Sequence, residues 1–479
     1  MVFAPSYEGS SAISDTNGNL LFYCDGEKIW HRNHDWMKND FGYPEVTRGY
    51  QGTITIPKPG SNETYYVFVI SRCNGLKRLP LYYFTIDISR EGGLGEVVAI
   101  DTLTAAWDAA DKLTATFHAN KKDIWVITRK YTLDSYAAFL VTENGVNPNP
   151  VLSPAPNREL SWGPTNFGPM KVSYNKQFLI STFMGDHTQL GGYVEICKFD
   201  DNSGQISFLY DFQMRYSFTP PNLPGFYEES ACEFSPCSKF LYVAAEVQIV
   251  GVFRTDIYQF ETKYLEDSLA FIQSGVLIDT IQGSNLQLAP DGRIYCFGKC
   301  SMIYPLNPLN NKVGRINNPG GYGIDCDYQS DVFEIQHGQV TYGIVNFLNG
   351  FLLRFDFEGQ CALDTFYFDP WFFPEPTWIQ WNFGDTASGS QNISYDLRPK
   401  HVFSHGGEYE VSVLLTYPSG RVEKTSRMVE VDSIPYPDLG PDTLICRGSS
   451  VTLDAGCNAQ FFTWSTGQWG VSSITVSDS

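Results

Sequence analysis

A polar turn followed by a short apolar strand recurs about every fifty residues over the first 300 positions, and this repeat narrows the possible folds more than any other feature. Asp15–Asn19 precedes Leu20-Leu-Phe-Tyr-Cys24, Gly60–Thr64 precedes Tyr65-Tyr-Val-Phe-Val69, and Ala119–Asp123 precedes Ile124-Trp-Val-Ile-Thr128. The pattern continues at Ser173–Gln177 with Phe178-Leu-Ile-Ser-Thr182, Ser235–Lys239 with Phe240-Leu-Tyr-Val-Ala244, and Ala289–Arg293 with Ile294-Tyr-Cys-Phe297. The strand starts are 45, 59, 54, 62 and 54 residues apart. A second β-rich run follows each one (Lys28–Trp30, Leu81–Ile86, Tyr136–Val141, Tyr193–Cys197, Asp256–Phe260, Met302–Tyr304), and several units carry a strand upstream, such as Gly52–Pro57 and Ser230–Phe234. Three to four strands per unit is the arithmetic of a β-propeller blade. A string of β-sandwiches would also give short strands, but has no reason to restart at a regular interval. The expectation is an all-β chain with a propeller over residues 1–358. It has six to seven blades, seven favoured if Thr341–Phe347 and Phe351–Phe355 supply one closed by strands preceding Met1. Asp101–Leu113 is the best candidate for a short helix.

The chain has 479 residues, 33 basic against 53 acidic, for a net charge of −20. That balance argues against binding nucleic acid, which needs clustered cations to displace counterions. No apolar run approaches the length that spans a bilayer, so membrane insertion is not expected. Of the 11 cysteines, Cys446 with Cys457 and Cys296 with Cys300 are the disulfide candidates, which would place the chain outside the cytoplasm. Buried free thiols are the alternative for Cys24, Cys73 and Cys197. Residues 1–8 lack a secretory leader pattern, and both ends read as those of a fragment.

The repeat stops near residue 358. Trp381-Asn-Phe-Gly-Asp385, Pro399-Lys-His-Val-Phe403 and Gly407-Glu-Tyr-Glu-Val-Ser-Val-Leu-Leu415 then stand in the order WxFGD, PxHxF, GxYxVxL. This stretch resembles a PKD domain and is expected as a β-sandwich over 359–433. Trp381 and Phe383 would point into its core, Gly384-Asp385 would form a tight turn, and Tyr409, Val411 and Val413 would alternate on one buried face. Asp438–Cys446, Val451–Ala455 and Trp464–Gly467 resemble the Ig-like repeats that follow PKD domains in large surface proteins of Bacteroidetes-type bacteria, giving a truncated Ig-like domain at 437–479. Glu8–Gly26 and Ile56–Gly60 look like the front of the propeller in that group. The resemblance implies a gliding-motility-associated surface protein exported by type IX secretion. Some PKD domains bind calcium, so the resemblance extends a structural calcium to Asp385; no other cofactor is implied.

Signatures of catalysis are missing from the sequence: no GxSxG, HExxH or Walker loop occurs. Glu228-Glu229 and Asp200-Asp201 are adjacent on strand or turn and point apart, so they read as rim residues. His31 and His34 lack carboxylate or cysteine partners at ligand spacing. Asp15–Asn19 opens like a calcium loop but reads as a hairpin turn. Asn62 and Asn392 fit glycan-acceptor triplets. Phe366-Tyr-Phe-Asp-Pro-Trp-Phe-Phe-Pro374, aromatic and broken by proline, is expected as a wedge between domains, or else as a sugar-stacking platform. No catalytic or cofactor-binding residue is assigned, and no metal-ligand set.

The expectation is a monomeric, non-enzymatic, extracellular or cell-surface protein. Its propeller head would bind an extracellular protein or polysaccharide in adhesion or gliding, with the PKD and Ig-like modules as spacer. The alternative is a propeller-type hydrolase or lyase acting on a surface polysaccharide.

Overall fold

The structure, a computed structural model, describes residues 9–15, 19–40, 51–70, 80–106, 109–130, 134–156, 168–183, 192–214, 225–249, 252–281, 285–289, 291–297, 312–335, 345–348, 354–372, 376–416, 422–433, 437–456 and 461–477. The chain is all-β and divides into two compact units, residues 1–353 with 372–374, and residues 354–371 with 375–479.

The first unit holds six sheets among the described residues, each built from strands consecutive in the chain. Ser10–Ser14, Leu20–Cys24 and Ile29–His31 form the first, and Thr53–Pro57, Thr64–Ile70, Leu81–Asp87 and Glu96–Leu103 the second. Ala109–Phe117, Ile124–Lys130 and Ser135–Thr142 form the third, where Gly145–Val146 and Val151–Pro154 both pair with Ser135–Thr142. Met170–Val172, Phe178–Phe183, Tyr193–Phe199 and Ile206–Phe212 make the fourth. Gly225–Phe234, Phe240–Ile249, Val252–Glu261 and Val276–Ile281 make the fifth, and Asn285–Leu288, Ile294–Phe297, Lys312–Ile316 and Tyr328–Glu334 the sixth. Late in the chain, Val345–Asn346 returns to the first sheet and pairs in parallel with Ser10–Ser14.

The repeat strands are the second strands of these six sheets, and the turns before them explain the polar signature. Ser173 N–H donates to Phe178 O and Ser235 N–H to Phe240 O, each at 2.9 Å. Lys121, Lys176 and Ser238 take φ values of 61°, 59° and 53°, Gly292 stands at the like position with 78°, and Gly60, one place earlier in its turn, has 76°. A left-handed residue closes the hairpin in each case.

Consecutive sheets pack face to face, which is why their strands are apolar on both sides. In Thr64–Ile70, Val67 and Val69 join Phe22, Cys24 and Ile29 of the first sheet in one core cluster. The alternate residues Tyr66, Phe68 and Ile70 pack with Leu113, Ala115 and Phe139 of the third. Trp125, Ile127 and Tyr136 in turn meet Val172, Leu179 and Cys197 of the fourth, and a larger cluster runs on through the fourth, fifth and sixth sheets.

Several expectations are corrected here. Asp101–Leu113 is not a helix: Glu96–Leu103 pairs antiparallel with Leu81–Asp87, a single 3₁₀ turn covers Thr104–Ala106, and Ala109–Phe117 begins the next sheet. Thr102 lies in the paired strand, where a β-branched side chain favours extended backbone. Among the described residues a regular helix covers Ser268–Gln273, capped by Asp267 Oδ1 accepting from Ala270 N–H at 3.1 Å. Arg354 and Phe355, assigned above to a seventh blade, pair with Pro370 and Trp371 in the second unit, while Thr341–Gly343 and Phe351–Leu353 lie outside the described residues. Cys296 and Cys446 are free thiols, so neither expected disulfide stands among the described residues; Cys300 and Cys457 fall outside them.

In the second unit Arg354–Glu358, Thr365–Trp371 and Lys400–Val402 form one sheet, and Ile393–Ser394, Trp378–Asn382, Gly407–Thr416 and Val422–Val431 another. Trp381 and Phe383 are fully buried, with Trp381 5.1 Å from Phe355 and 5.6 Å from Phe368 between ring centroids. Val411, Val413 and Leu415 form the expected inward face, with Tyr409 half-buried against Phe403. Gly384 has φ 71°, and a Cβ there would sit 2.8 Å from Glu410 O. The aromatic segment is regular as far as Trp371. It is a strand whose Phe366 and Phe368 fill the core while Tyr367 faces outward. Pro370 is tolerated because pairing with Lys400–Val402 covers only Thr365–Tyr367. Ser450–Asp454 and Ser473–Ser477 form a separate two-stranded sheet.

Asp385 is buried, and its Oδ2 accepts from Ser404 N–H at 2.9 Å and Ser404 Oγ at 3.0 Å, and meets His401 Nε2 at 3.2 Å. Burial pushes against ionisation of Asp385, but the Ser404 and His401 contacts hold its carboxyl below the usual range. Burial also lowers the His401 pKa, against the pull of Asp385.

Two measurements check this account. Phe68→Ala should destabilise the chain by about 3–5 kcal/mol in denaturant titration, and Ile100→Ala, half exposed on an outer strand, by under about 1 kcal/mol. Because the folded pKa of His401 lies below its ordinary value, its contribution is complete above about pH 6.5 and is lost as pH falls toward the folded value. Asp385, also depressed, adds a second loss below about pH 4. Tryptophan fluorescence of acid-titrated protein should show both losses weakened in His401→Phe, which keeps the stack on Phe383.

Candidate functional site

The first strands of the six sheets carry the unusual chemistry. Five of them bring buried polar side chains into otherwise apolar runs: Ser11, Thr53 and Thr55, Lys112, Lys171, and Glu233; Asn285 and Gln287 stand on the sixth, and Gln51 and Asn346 flank. Alternation explains the placement. In Met170-Lys-Val172 the outer two side chains go into the core between sheets, and Lys171 projects the other way.

These groups link one sheet to the next. Ser11 Oγ and Thr55 Oγ1 lie 2.8 Å apart. Asn346 Nδ2 donates to Thr53 O at 3.0 Å and to Leu113 O at 2.7 Å. Gln51 Oε1 accepts from Met170 N–H at 2.7 Å. Lys112 Nζ donates to Gly168 O at 2.7 Å and to Thr182 O. Lys171 Nζ lies 3.1 Å from Glu233 Oε2 and 3.4 Å from Gln287 Oε1. Glu233 Oε2 also accepts from Leu288 N–H at 3.1 Å, and Oε1 from Phe234 N–H at 3.0 Å and Tyr174 OH at 3.4 Å. A buried ion pair pays a desolvation cost of several kcal/mol per ion, and this set of donors is what offsets it. Burial pushes the neighbouring Cys232 thiol up to about 12, so it is no thiolate nucleophile.

Lys171, Gln51, Asn285, Gln287 and Asn346, with Pro169, Ala231, Leu286 and Val345, line one small cavity that has room for about a single water molecule. It therefore gathers an ammonium, four carboxamides and, behind the ammonium, a carboxylate. Such a set can donate hydrogen bonds to a ligand oxygen and stabilise charge developing on it.

A second buried cluster lies between the third and fourth sheets. Arg129 Nη1 and Glu195 Oε1 are 2.6 Å apart, both fully buried, and Tyr136 OH donates to Glu195 Oε1 at 2.8 Å. The guanidinium lies 4.5 Å from the Tyr136 ring centroid. Burial, then Glu195, raises the Cys197 thiol. Sealed from solvent, this cluster is structural.

The residues singled out in the sequence do not converge. Asp200 caps its own turn, accepting from Asn202 N–H at 3.0 Å and Ser203 Oγ at 2.6 Å. Asp201 pairs with Lys176 at 2.8 Å. Asp15 Oδ1 accepts from Asn19 N–H at 2.8 Å, as a hairpin turn requires. His31 is buried and His34 exposed, on opposite sides of a tight turn. The Glu228 and Glu229 side chains lie outside the described residues. No cluster of three or more metal-ligating side chains occurs among the described residues. Lys171, Glu233 and Lys112 were missed; the available signal was a charge in the middle of a short apolar strand, as in Ala231-Cys-Glu-Phe234.

No protein-family model matches the chain, and no curated protein matches it. Among solved structures, the chain is similar to the PKD1 domain of Vibrio anguillarum Epp, with 20% identity, 17% of this chain and 94% of that one covered, and a TM-score of 0.15. It is similar to the periplasmic gluconolactonase PpgL of Pseudomonas aeruginosa, at 13% identity over 77% of this chain and 97% of that one, TM-score 0.36. It is also similar to an exo-beta-1,3-galactanase from Phanerochaete chrysosporium, at 10% identity over 83% and 92%, TM-score 0.30. These two solved structures, each matched over most of the chain, are named as enzymes, and this stands against the expectation of a non-enzymatic chain.

Proposed function

We propose that the first unit is a six-bladed β-propeller and that it acts as a carbohydrate-active enzyme, a hydrolase or lyase on a polysaccharide, with Lys171 at its axial contact point. Three observations support closure into a ring. Each sheet packs on the next, Val345–Asn346 joins the first sheet from the far end of the unit, and residues of the sixth sheet share a cavity with that same segment.

The observation that carries the activity is the Lys171–Glu233 pair beside the cavity. An ammonium has three N–H donors. Glu233 and Gln287 engage two of the Lys171 N–H groups, and the third serves a ligand oxygen entering the cavity. Glu233 is a positioning residue: backbone N–H groups from the fifth and sixth sheets fix its carboxylate, and the carboxylate fixes Lys171. Only a protruding oxygen fits so small a space, so the sugar ring itself rests outside it. A polymer substrate of this kind implies work outside the cell.

The assay is product release from polygalacturonate and from β-1,3-galactan. Reducing ends alone indicate hydrolysis, and reducing ends with ultraviolet-absorbing unsaturated ends indicate elimination. Lys171→Met should lower turnover by about 10²–10³-fold, the effect of removing one preorganised donor. The double variant Lys171→Met, Glu233→Gln removes both charges and keeps the fold testable, with its melting temperature measured alongside. Wild-type protein that releases nothing, or a folded double variant as active as wild type, overturns the proposal.

A further inference from the structure

The outer edge of the first sheet carries an aromatic surface that none of the preceding sections uses. Tyr23 and Trp30 are direct partners across neighbouring strands, and Trp30 is bridged in turn to Trp36. The Tyr23 and Trp30 rings lie 6.1 Å apart and within 9° of parallel; Trp36 follows at 6.1 Å, turned by 74°. His34 brings its ring to 5.9 Å from Tyr23 from a left-handed backbone position, φ 65°. The row is not sealed: Trp36 is 57% exposed and Tyr23 and Trp30 are half-buried. Its orientation is nevertheless held, because Trp30 Nε1 donates to Asp25 Oδ2 at 2.8 Å while Asp25 Oδ1 accepts from Glu27 N–H at 2.8 Å and Lys28 N–H at 2.7 Å.

We infer that this row, Tyr23, Trp30 and Trp36 with Lys28 and His34 at its rim, is a binding surface for a neutral glycan chain. Three rings stand side by side here, with Lys28 and His34 as polar side chains beside them, and a pyranose chain presents C–H faces to rings and hydroxyls to polar neighbours. A cationic ligand is disfavoured, since the Lys28 ammonium already stands 2.8 Å from the Trp36 ring centroid. An aromatic ladder serving the sheet edge alone would gain most by burying its rings, and this one leaves its last indole mostly in solvent. Trp30 stands on the outermost strand of its sheet, at the opposite edge from Val345–Asn346, which lines the cavity, so the row would hold polymer rather than act on it.

The test is retardation of the full chain in gels containing soluble β-glucan or galactan, with tryptophan fluorescence on addition of the same polymers. Wild-type protein should be retarded by at least one of the two. Trp36→Ala should weaken the interaction by about tenfold, Trp36→Phe should restore most of it, and Ile100→Ala, on the outer strand of the second sheet, should leave retardation unchanged. Because Trp36 is exposed, its alanine variant should keep the wild-type melting temperature. An unretarded wild type, or Trp36→Ala retarded like wild type, overturns the inference. Neither outcome bears on turnover, so this surface and the axial reading fail separately.

Discussion

Each central strand of the first unit has to satisfy two neighbours at once, and the remainder of the architecture depends on this. Val67 and Val69 look one way, Phe68 and Ile70 the other, and both pairs are buried. A sheet with two apolar faces gains its stability only when covered on both, at about 25 cal/mol per Å² removed from water. Packing sheet upon sheet meets that demand for every interior member, and the described residues form no helical layer that could offer another covering. The outer strands are relieved of it: Val98 and Ile100 stand 40% and 48% exposed.

Polar groups do a different job. Where first strands meet, packing is supplemented by directed bonds that specify which strand lies beside which. Asn346, Gln51, Lys112 and Glu233 each reach a main-chain group of another sheet. Such bonds add modestly to net stability, yet leaving one broken in a buried place costs about 1–3 kcal/mol, so they discriminate strongly against misplaced neighbours. Proposing Lys171 as a working group is consistent with this, since a side chain already immobilised by Glu233 and Gln287 meets a ligand without further ordering.

Much of the strand content was legible because local chemistry announced it: a turn needing left-handed residues, then a run too apolar to be exposed. In the second unit the resemblance to the WxFGD pattern, and not this local reading, placed Trp381, Phe383 and Gly384. Local chemistry also misled. Alanine-rich Asp101–Leu113 has helical spacing, but Asp101–Leu103 is claimed by pairing with Leu81–Asp87, and prolines made Phe366–Pro374 look unlike a strand although Phe366 and Phe368 alternate inward. The Lys171–Glu233 cluster was illegible for another reason. Lys171 and Gln287 are 116 residues apart, and Leu288 and Glu233 55, so no spacing rule connects them.

The late strand Val345–Asn346 has a consequence for how this unit comes to be built. Asn346 reaches back to Thr53 and Leu113, which precede it by 293 and 233 positions. Sheets two to six can assemble as the chain emerges, each from its own hairpins, whereas the first must wait with an unfilled edge until almost the whole unit has been made. Closing so long a loop adds entropy only logarithmically, but it delays the event itself, leaving Ser10–Ser14 exposed to a rival strand in the meantime. Final assembly is therefore a docking step between the earliest and latest segments, distinct in time from the local folding that precedes it.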